Sequence, residues 1–348
     1  MKYIKMWLFI GRGFALPQCI MPGVMAVILS LGLKDAQGNP LGDFNLALAI
    51  LAVFACCLVH LANNMLDDYF DYKYDILDYR LDLRKEGEQA FTDKYPYLLD
   101  GTITHRQLGW AIVGFLGAAA LIGFIIFLYR GWNVFWIALV VLFLGYSYSG
   151  KPLKLGFHGL GELIIGLCFG PCLMCGVFES ASGALYTPEN GIYWPIVYMS
   201  IAIGMFVTNI LYTHSFVERH IDAVSHKKTL AVLLKYDWAG LLAYAILLYV
   251  PFLLVVLAVY VGYIHWAYLL TLVMLPQTFW LMNSMVRFAK KQPVDTANPP
   301  KWLGPMDNLE EHVRNNNDYY IVRWYTMRNI NTGFCLIVAV VKLVLLFL

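Results

Sequence analysis

Charge is scarce in this chain. Only 14% of its 348 residues are Asp, Glu, Lys or Arg, where soluble globular chains carry about 25%. A soluble core of this size needs a polar skin that these residues cannot supply, which excludes a single soluble globular domain. Cysteine offers no framework either. All seven (Cys19, Cys56, Cys57, Cys168, Cys172, Cys175 and Cys335) fall inside apolar runs, and no disulfide scaffold is expected. Cys168, Cys172 and Cys175 share one helical face, but no His or acid accompanies them. Small-residue helix packing is the expectation there, rather than a metal or redox site. A cleavable leader is not expected: Lys2 and Lys5 precede apolar residues, but Gly11-Arg12-Gly13 interrupts them. With no small-residue cleavage site ahead of a polar domain, the first helix reads as retained.

What is abundant is apolar. Hydrophobic residues make up 60% of the chain, and the mean hydropathy is +0.61. Runs of a length that crosses a bilayer fall near 14–33, 45–65, 107–128, 132–148, 159–180, 193–213, 237–261, 264–286 and 329–347. The pattern predicts an all-α membrane protein of about nine transmembrane helices in one bundle, with residues 1–348 as a single domain. The connections alternate in character. Those near 66–106, 149–158, 214–236 and 287–328 are basic, and the others are nearly free of Lys and Arg. Of the 25 basic residues, only Lys34, Arg130 and Lys342 lie away from these loops and the N-terminus. The positive-inside rule therefore places the N-terminus and the four basic loops in the cytoplasm and the C-terminus outside.

Acidic residues follow the same geography. One cluster ends span 2 and another ends span 6, each on the second helix of a four-helix block. Spans 1–4 and 5–8 thus read as two related halves, with span 9 added; such repeats often share a site where the halves meet. The first cluster runs from Asn63 to Asp75. If the helix continues past the membrane, Asp67, Asp71 and Asp75 lie at i, i+4 and i+8 on one face, with Asp68 beside them. Stacked carboxylates repel one another, so the stripe needs a cation. Hard oxygen ligands on a helix suit Mg²⁺, which completes its shell with water and phosphate. The plainer alternative is a solvated loop helix that merely carries charge. In the second cluster His214, Glu218 and Asp222 again share one face, followed by Ser225-His226-Lys227-Lys228-Thr229-Leu230.

Two acidic walls with Mg²⁺ between them describe a diphosphate site. Lys94, Lys151, Lys154, Lys227 and Lys228 are the basic candidates to surround the phosphates, each equally readable as an orientation anchor. Arg12, at the edge of span 1, is assigned a phosphate or acid-network role. The apolar helices would enclose an isoprenoid tail, and some of the 23 Tyr, 21 Phe and 10 Trp would line that chamber and stabilise a carbocation. Interfacial belts and core packing account for most of those rings. The long connection 287–328 reads as an interfacial anchor through Trp324, Tyr325, Arg323 and Arg328, or as a lid.

These motifs resemble those of the UbiA superfamily of intramembrane aromatic prenyltransferases, and within it the 1,4-dihydroxy-2-naphthoate polyprenyltransferases of menaquinone synthesis. The family's first motif, Asn-Asp-x-x-Asp-x-x-x-Asp, is matched by Asp68, Asp71 and Asp75, with Asp67 in place of the opening Asn. The second, Asp-x-x-x-Asp before Gly-Lys-x-Thr-Leu, is here Glu218-x-x-x-Asp222 and His226-Lys227-Lys228-Thr229-Leu230. Tyr146-Ser147-Tyr148-Ser149-Gly150-Lys151-Pro152-Leu153-Lys154-Leu155, with Gly159-Leu160-Gly161-Glu162, is similar to the loop between spans 4 and 5 of the naphthoate branch. Leu99-Asp100-Gly101-Thr102 resembles its approach to span 3.

The resemblance implies that Asp67, Asp68, Asp71, Asp75, Glu218 and Asp222 hold Mg²⁺ and diphosphate. It implies that Tyr148 and Lys154 meet the phosphates, with Lys151 a neighbour; Arg12, Asn64 and Lys227 complete the diphosphate set. Asp71 and Asp75 are the catalytic candidates, Asp75 to orient or deprotonate the acceptor. The implied partners are a polyprenyl diphosphate, a small aromatic acceptor and the lipid bilayer; no nucleic acid is expected. The implied setting is a bacterial inner (plasma) membrane with the site facing the cytoplasm. Another phenolic acceptor, or a membrane terpene cyclase of the same superfamily, fits the same motifs. Asp67-Asp68-Tyr69-Phe70-Asp71 also satisfies the Asp-Asp-x-x-Asp pattern of soluble prenyl diphosphate synthases, against which nine spans argue. An ion-coupled transporter is the distant alternative; its acids belong near the bilayer centre, whereas these cluster at helix ends.

Overall fold

Hydrocarbon offers a backbone no outside partner for its N–H and C=O groups, so an apolar run that crosses it closes its hydrogen bonds within itself as a helix. The computed structural model has this form and describes residues 2–35, 37–73, 95–224 and 227–348. The first span is a bent pair, Tyr3–Ile10 with Gly13–Leu29, whose segments differ in direction by 66°; it contains α1 (Lys2–Ile10) and α2 (Pro17–Leu29). Among the described residues eight more helices are long and apolar enough to cross a membrane. They are α3 (Leu46–Lys73), α4 (His105–Arg130), α5 (Trp132–Ser149), α6 (Gly161–Ser182), α7 (Trp194–Val217), α9 (Asp237–Tyr260), α10 (Trp266–Ala289) and α12 (Asp318–Leu346). Two short helices, α8 (Arg219–Val224) and α11 (Leu309–Arg314), lie in connections. The only sheet among the described residues is a two-stranded antiparallel hairpin pairing Tyr186–Thr187 with Gly191–Ile192, between α6 and α7.

Local signals set several of these ends. Thr104 and Gln107 form a capping box that starts α4. Gly183, in the left-handed region at φ 65°, ends α6. Three boundaries differ from the apolar runs. Span 1 starts earlier and bends at Gly11-Arg12. α3 continues to Lys73, keeping Asp67, Asp68 and Asp71 in helical register. α12 starts at Asp318, well ahead of 329, because its first three turns carry polar residues that are nevertheless buried. Arg323, Trp324 and Arg328 are 2%, 9% and 6% exposed. Interfacial anchoring by Trp324, Tyr325 and the arginines therefore does not hold: Arg328 is bound by Asp307 and the Pro305 carbonyl at 2.9 Å each, and Tyr325 is also buried.

The packing joins the two blocks through α6. It lies against α2 and α3 of the first block and against α7 of the second, while α12 closes on α2 and α7. Phe206, Phe252 and Phe334 bring α7, α9 and α12 together, with ring centroids 5.2–6.0 Å apart. At the end away from the acids, the Arg130 guanidinium clasps the carbonyls of Asp43, Ser180 and Ala181 at 2.6, 2.9 and 3.0 Å. α6 and α7 meet almost backbone to backbone. A Cβ on Gly170 would lie 2.4 Å from the Ser200 carbonyl oxygen and 2.6 Å from Gly204 Cα, the close approach that small residues permit between membrane helices. Gly170→Ala should therefore cost about 1–3 kcal/mol, read as a fall of several degrees in thermal midpoint in detergent. Gly114→Ala in α4, where a Cβ meets nothing within 4 Å, should leave the midpoint unchanged.

Candidate active site

Ionised carboxylates at the end of an apolar bundle need partners, and the chain brings them from distant segments. Asp68 and Asp71 on α3 are 2% and 1% exposed. Arg12 stands opposite them, at the break between α1 and α2, with its backbone in the left-handed region at φ 56°. Asn64, one turn before the acids, donates its side-chain N–H to the Gly11 carbonyl at 2.9 Å. That bond ties the bend to α3, so that the guanidinium pairs with Asp68 and comes within 3.7 Å of Asp67. Tyr97, in the helical turn Pro96–Leu99, donates to the other Asp68 oxygen at 2.5 Å. Burial, and then the Asp68 charge, push the Tyr97 hydroxyl's pKa up. Ser149, at the end of α5, donates to Asp67 at 2.8 Å. Asp75 and Lys94 lie outside the described residues.

The second wall follows α7. Glu218 caps that helix and its carbonyl accepts the Asp222 N–H at 2.9 Å, so both carboxylates keep helical spacing. Glu218 is 1% and Asp222 2% exposed. His214 Nε2 lies 3.2 Å from Glu218, and the Tyr320 ring of α12 is centred 4.9 Å from that of His214. Tyr320 is within electrostatic reach of both Glu218 and Arg12, which brings the second wall near the first.

Lys227 holds its ammonium within electrostatic reach of both walls. Its backbone N–H donates to the Asp222 carbonyl at 2.9 Å. Burial works against its charge, yet Tyr148, Asp222, Asp71 and Asp67 around the ammonium together raise its pKa above the ordinary lysine value. The Phe157 ring lies between two lysines, its centroid 5.7 Å from Lys227 Nζ and 5.5 Å from Lys154 Nζ. Partial burial, and then Lys151, lower the pKa of Lys154, while Asp71 raises it. Lys151 is exposed at the mouth, where its carbonyl accepts the Tyr146 hydroxyl. Tyr148 fits a slot walled by glycine: a Cβ on Gly156 or Gly161 would come within 3.2 Å of its ring.

The residues singled out by spacing are thus gathered at one end of the bundle, with cations already among the acids. The model of the UbiA prenyltransferase family matches residues 25–299, most of the chain and both walls. The chain belongs to the UbiA prenyltransferase family. Among curated proteins it is 25% identical over 227 residues to 2-carboxy-1,4-naphthoquinone phytyltransferase of Synechocystis (65% of this chain, 64% of that one). It is 26% identical over 195 residues to 1,4-dihydroxy-2-naphthoate octaprenyltransferase of Bacillus subtilis (56% of this chain, 57% of that one). The chain therefore spans somewhat under two thirds of these relatives' length. Among solved structures, a UbiA homolog from Archaeoglobus fulgidus bound to DMAPP and Mg²⁺ is 13% identical, with a TM-score of 0.54, covering 93% of this chain and 98% of that one. A UbiA homolog from Aeropyrum pernix K1 is 17% identical, with a TM-score of 0.57, covering 96% and 98%. These two likenesses establish the helical fold.

Within this UbiA fold, several site residues have no local signal. Tyr97 and Ser149 reach Asp68 and Asp67 across 29 and 82 positions of sequence, and Tyr320 sits in a segment read as a loop. Among the described residues no set of three His, Cys, Asp or Glu is placed to hold an ion directly. That donor set suits Mg²⁺ better than a metal that demands an all-protein cage, because Mg²⁺ takes one or two carboxylates and fills its shell with water and phosphate. Lys227→Met should remove a positive charge that acts on Asp71 and Asp222. Its thermal midpoint in EDTA should fall by several degrees, and added Mg²⁺ should raise it more than it raises wild type. Because the lysine pKa is shifted upward, its stabilisation is present below the ordinary value of 10.5 and lost only as pH rises through the higher folded value. The gap between wild type and Lys227→Met should therefore stay constant from about pH 7 to 9.

Proposed function

We propose that this chain transfers a polyprenyl group from a prenyl diphosphate to a small aromatic acceptor, with 1,4-dihydroxy-2-naphthoate as the leading acceptor. The observation that carries the reading is the pairing of Arg12 with Asp68 beside Asp67, with Lys227 within electrostatic reach of Asp71 and Asp222, at one end of an apolar UbiA bundle. Asp67, Asp68, Asp71, Glu218 and Asp222 are the residues that would hold Mg²⁺, which when bound neutralises the diphosphate as a leaving group. Arg12, Lys227, Lys154 and the Tyr148 hydroxyl are the hydrogen-bond donors that would bind phosphate oxygens. The apolar helices below would enclose the isoprenoid tail and exclude water from the allylic cation. The acceptor ring attacks that carbon as the diphosphate leaves, and its proton passes to a base, a role assigned to Asp75 and Asp71; with naphthoate the carboxylate would leave as CO₂ in place of that proton. The UbiA homolog bound to DMAPP and Mg²⁺ and the naphthoate enzymes among the relatives support this reading.

The distribution of Lys and Arg supports a cytoplasmic site, and the two bacterial relatives support a bacterial plasma membrane. A C-terminal alkaline phosphatase fusion should then be active and a C-terminal green fluorescent protein fusion dark; the reverse pattern overturns the orientation. For the reaction, purified protein is incubated with a long-chain prenyl diphosphate, Mg²⁺ and a panel of aromatic acids including 1,4-dihydroxy-2-naphthoate, with products read by mass spectrometry. A prenylated ring should form, should require Mg²⁺, and should fall by about a hundredfold or more in Asp71→Asn. Diphosphate release without a prenylated aromatic would favour a cyclase. No turnover and no Mg²⁺-dependent diphosphate binding would overturn the enzymatic reading.

A further inference from the structure

Lys227 lies on a loop, yet its ammonium stands within electrostatic reach of Asp71 and Asp222. The fixing comes from a carboxylate outside both acidic walls. Glu162, in the first turn of α6, is 2% exposed. Its Oε1 and Oε2 accept the Leu230 N–H at 3.2 and 3.4 Å. Leu230 opens the helical turn Leu230–Leu233, whose Thr229 cap also accepts the Val232 N–H. Glu162 thus serves as a long-range cap for a turn that begins three residues after Lys227. The Ser215 hydroxyl of α7 lies within hydrogen-bonding reach of the same carboxylate, and Lys227 within electrostatic reach. The Glu162 carbonyl accepts the Thr208 hydroxyl at 3.2 Å, fastening the base of this side chain to α7.

The surrounding contacts bear in the same direction. The Lys228 N–H donates to the Phe157 carbonyl at 3.2 Å, and His158 pairs with Lys228 in a short parallel bridge. The segment that follows Lys227 is therefore fastened twice, at Lys228 by Phe157 of the Lys154 loop and at Leu230 by Glu162 of α6. Glu162 also adjoins Gly161, which makes the slot for Tyr148. A negative charge in the first turn of α6 is itself favoured by the helix dipole.

We propose that Glu162 is the positioning residue that presents Lys227, and with it Tyr148, to the diphosphate. This inference rests on the prenyl-transfer reading of the site. Replacing Glu162 leaves the Leu230 N–H without its acceptor and lets the Lys227 loop relax.

The test uses the full-length protein in nanodiscs and inorganic pyrophosphate with Mg²⁺ as the probe, followed by steady-state kinetics. Glu162→Leu and Lys227→Met should each weaken pyrophosphate binding about tenfold, and the double variant should be no weaker than either alone. The KM for prenyl diphosphate should rise in step, while the KM for the aromatic acceptor stays within about twofold. Glu162→Gln keeps an oxygen to accept the Leu230 N–H and should recover most of the affinity. Glu162→Asp keeps the charge on a shorter arm; it should weaken pyrophosphate binding with an unchanged thermal midpoint, and it carries the test if Glu162→Leu does not fold. Additive losses in the double variant, or equal rises in both KM values, overturn the positioning role. So does unaltered pyrophosphate affinity in folded Glu162→Leu or Glu162→Asp. A wild-type protein that binds no pyrophosphate with Mg²⁺ overturns the functional reading itself, and the inference with it.

Discussion

An ionised carboxylate at the edge of a hydrocarbon layer is stable only beside a positive charge or a set of hydrogen-bond donors. This chain gathers Asp67, Asp68, Asp71, Glu218 and Asp222 in such a place, all buried except Asp67. Much of the connecting structure serves that requirement. The first span bends at Gly11-Arg12-Gly13 so that a guanidinium reaches α3, and Asn64 holds the bend there. The turn Pro96–Leu99 brings a phenol to Asp68, and the end of α5 brings a hydroxyl to Asp67. The loop after α8 brings an ammonium within electrostatic reach of Asp71 and Asp222. No single one of these segments makes a site; their convergence follows from the need to solvate acids where water is sparse.

The same electrostatics separate the competing functions. Acids that conduct ions sit near the middle of the membrane, often at broken helices. Here they sit at helix ends, interleaved with Arg12, Lys227 and Lys154. A cation path has no use for fixed cations among its ligands, because each raises the energy of the passing ion. A polyanion that arrives with its own divalent cations has use for both signs: the carboxylates meet the metal and the lysine and arginine meet the oxygens. Mixed charge at one end of an apolar chamber thus favours a ligand with an anionic head and a long apolar tail.

How much of this was legible in the sequence follows from the range of each interaction. Spans are set by a length that hydrocarbon imposes, so the apolar runs located nine of them, and acid spacing located both walls because i and i+4 neighbours share a helix face. The start of α12 was not legible, since Arg323, Arg328 and Asn329 interrupt hydropathy. Arg328 is met by Asp307 and the Pro305 carbonyl, the Asn329 amide by the Leu303 and Pro305 carbonyls, and Arg323 reaches the Ser284 carbonyl at 3.4 Å, contacts that no local window contains. Tyr97, Ser149 and Tyr320 were missed for the same reason: each acts on a partner far away in sequence and carries no spacing of its own. Arg12 was legible as an odd charge at the edge of a span, but its partners and the 66° bend that aims it were not.

Two of the departures from the family's motifs, Asp67 and Glu218, are instructive because each is matched nearby. Asp67 stands where the motif carries Asn and so adds a negative charge to an already crowded helix face. Ser149 donates to that carboxylate at 2.8 Å and the Arg12 guanidinium lies 3.7 Å away, so the added charge is solvated without a metal. Glu218 stands where the motif carries Asp, and its longer arm folds back along α7 to His214 Nε2, 3.2 Å away and one turn earlier. With one oxygen so engaged, the carboxylate's reach beyond the helix end is shortened toward that of an aspartate. Each replacement is thus tied to a neighbour that limits its effect on the charge and shape of the head-group site, as substitutions at a crowded electrostatic centre must be if the centre is to remain folded.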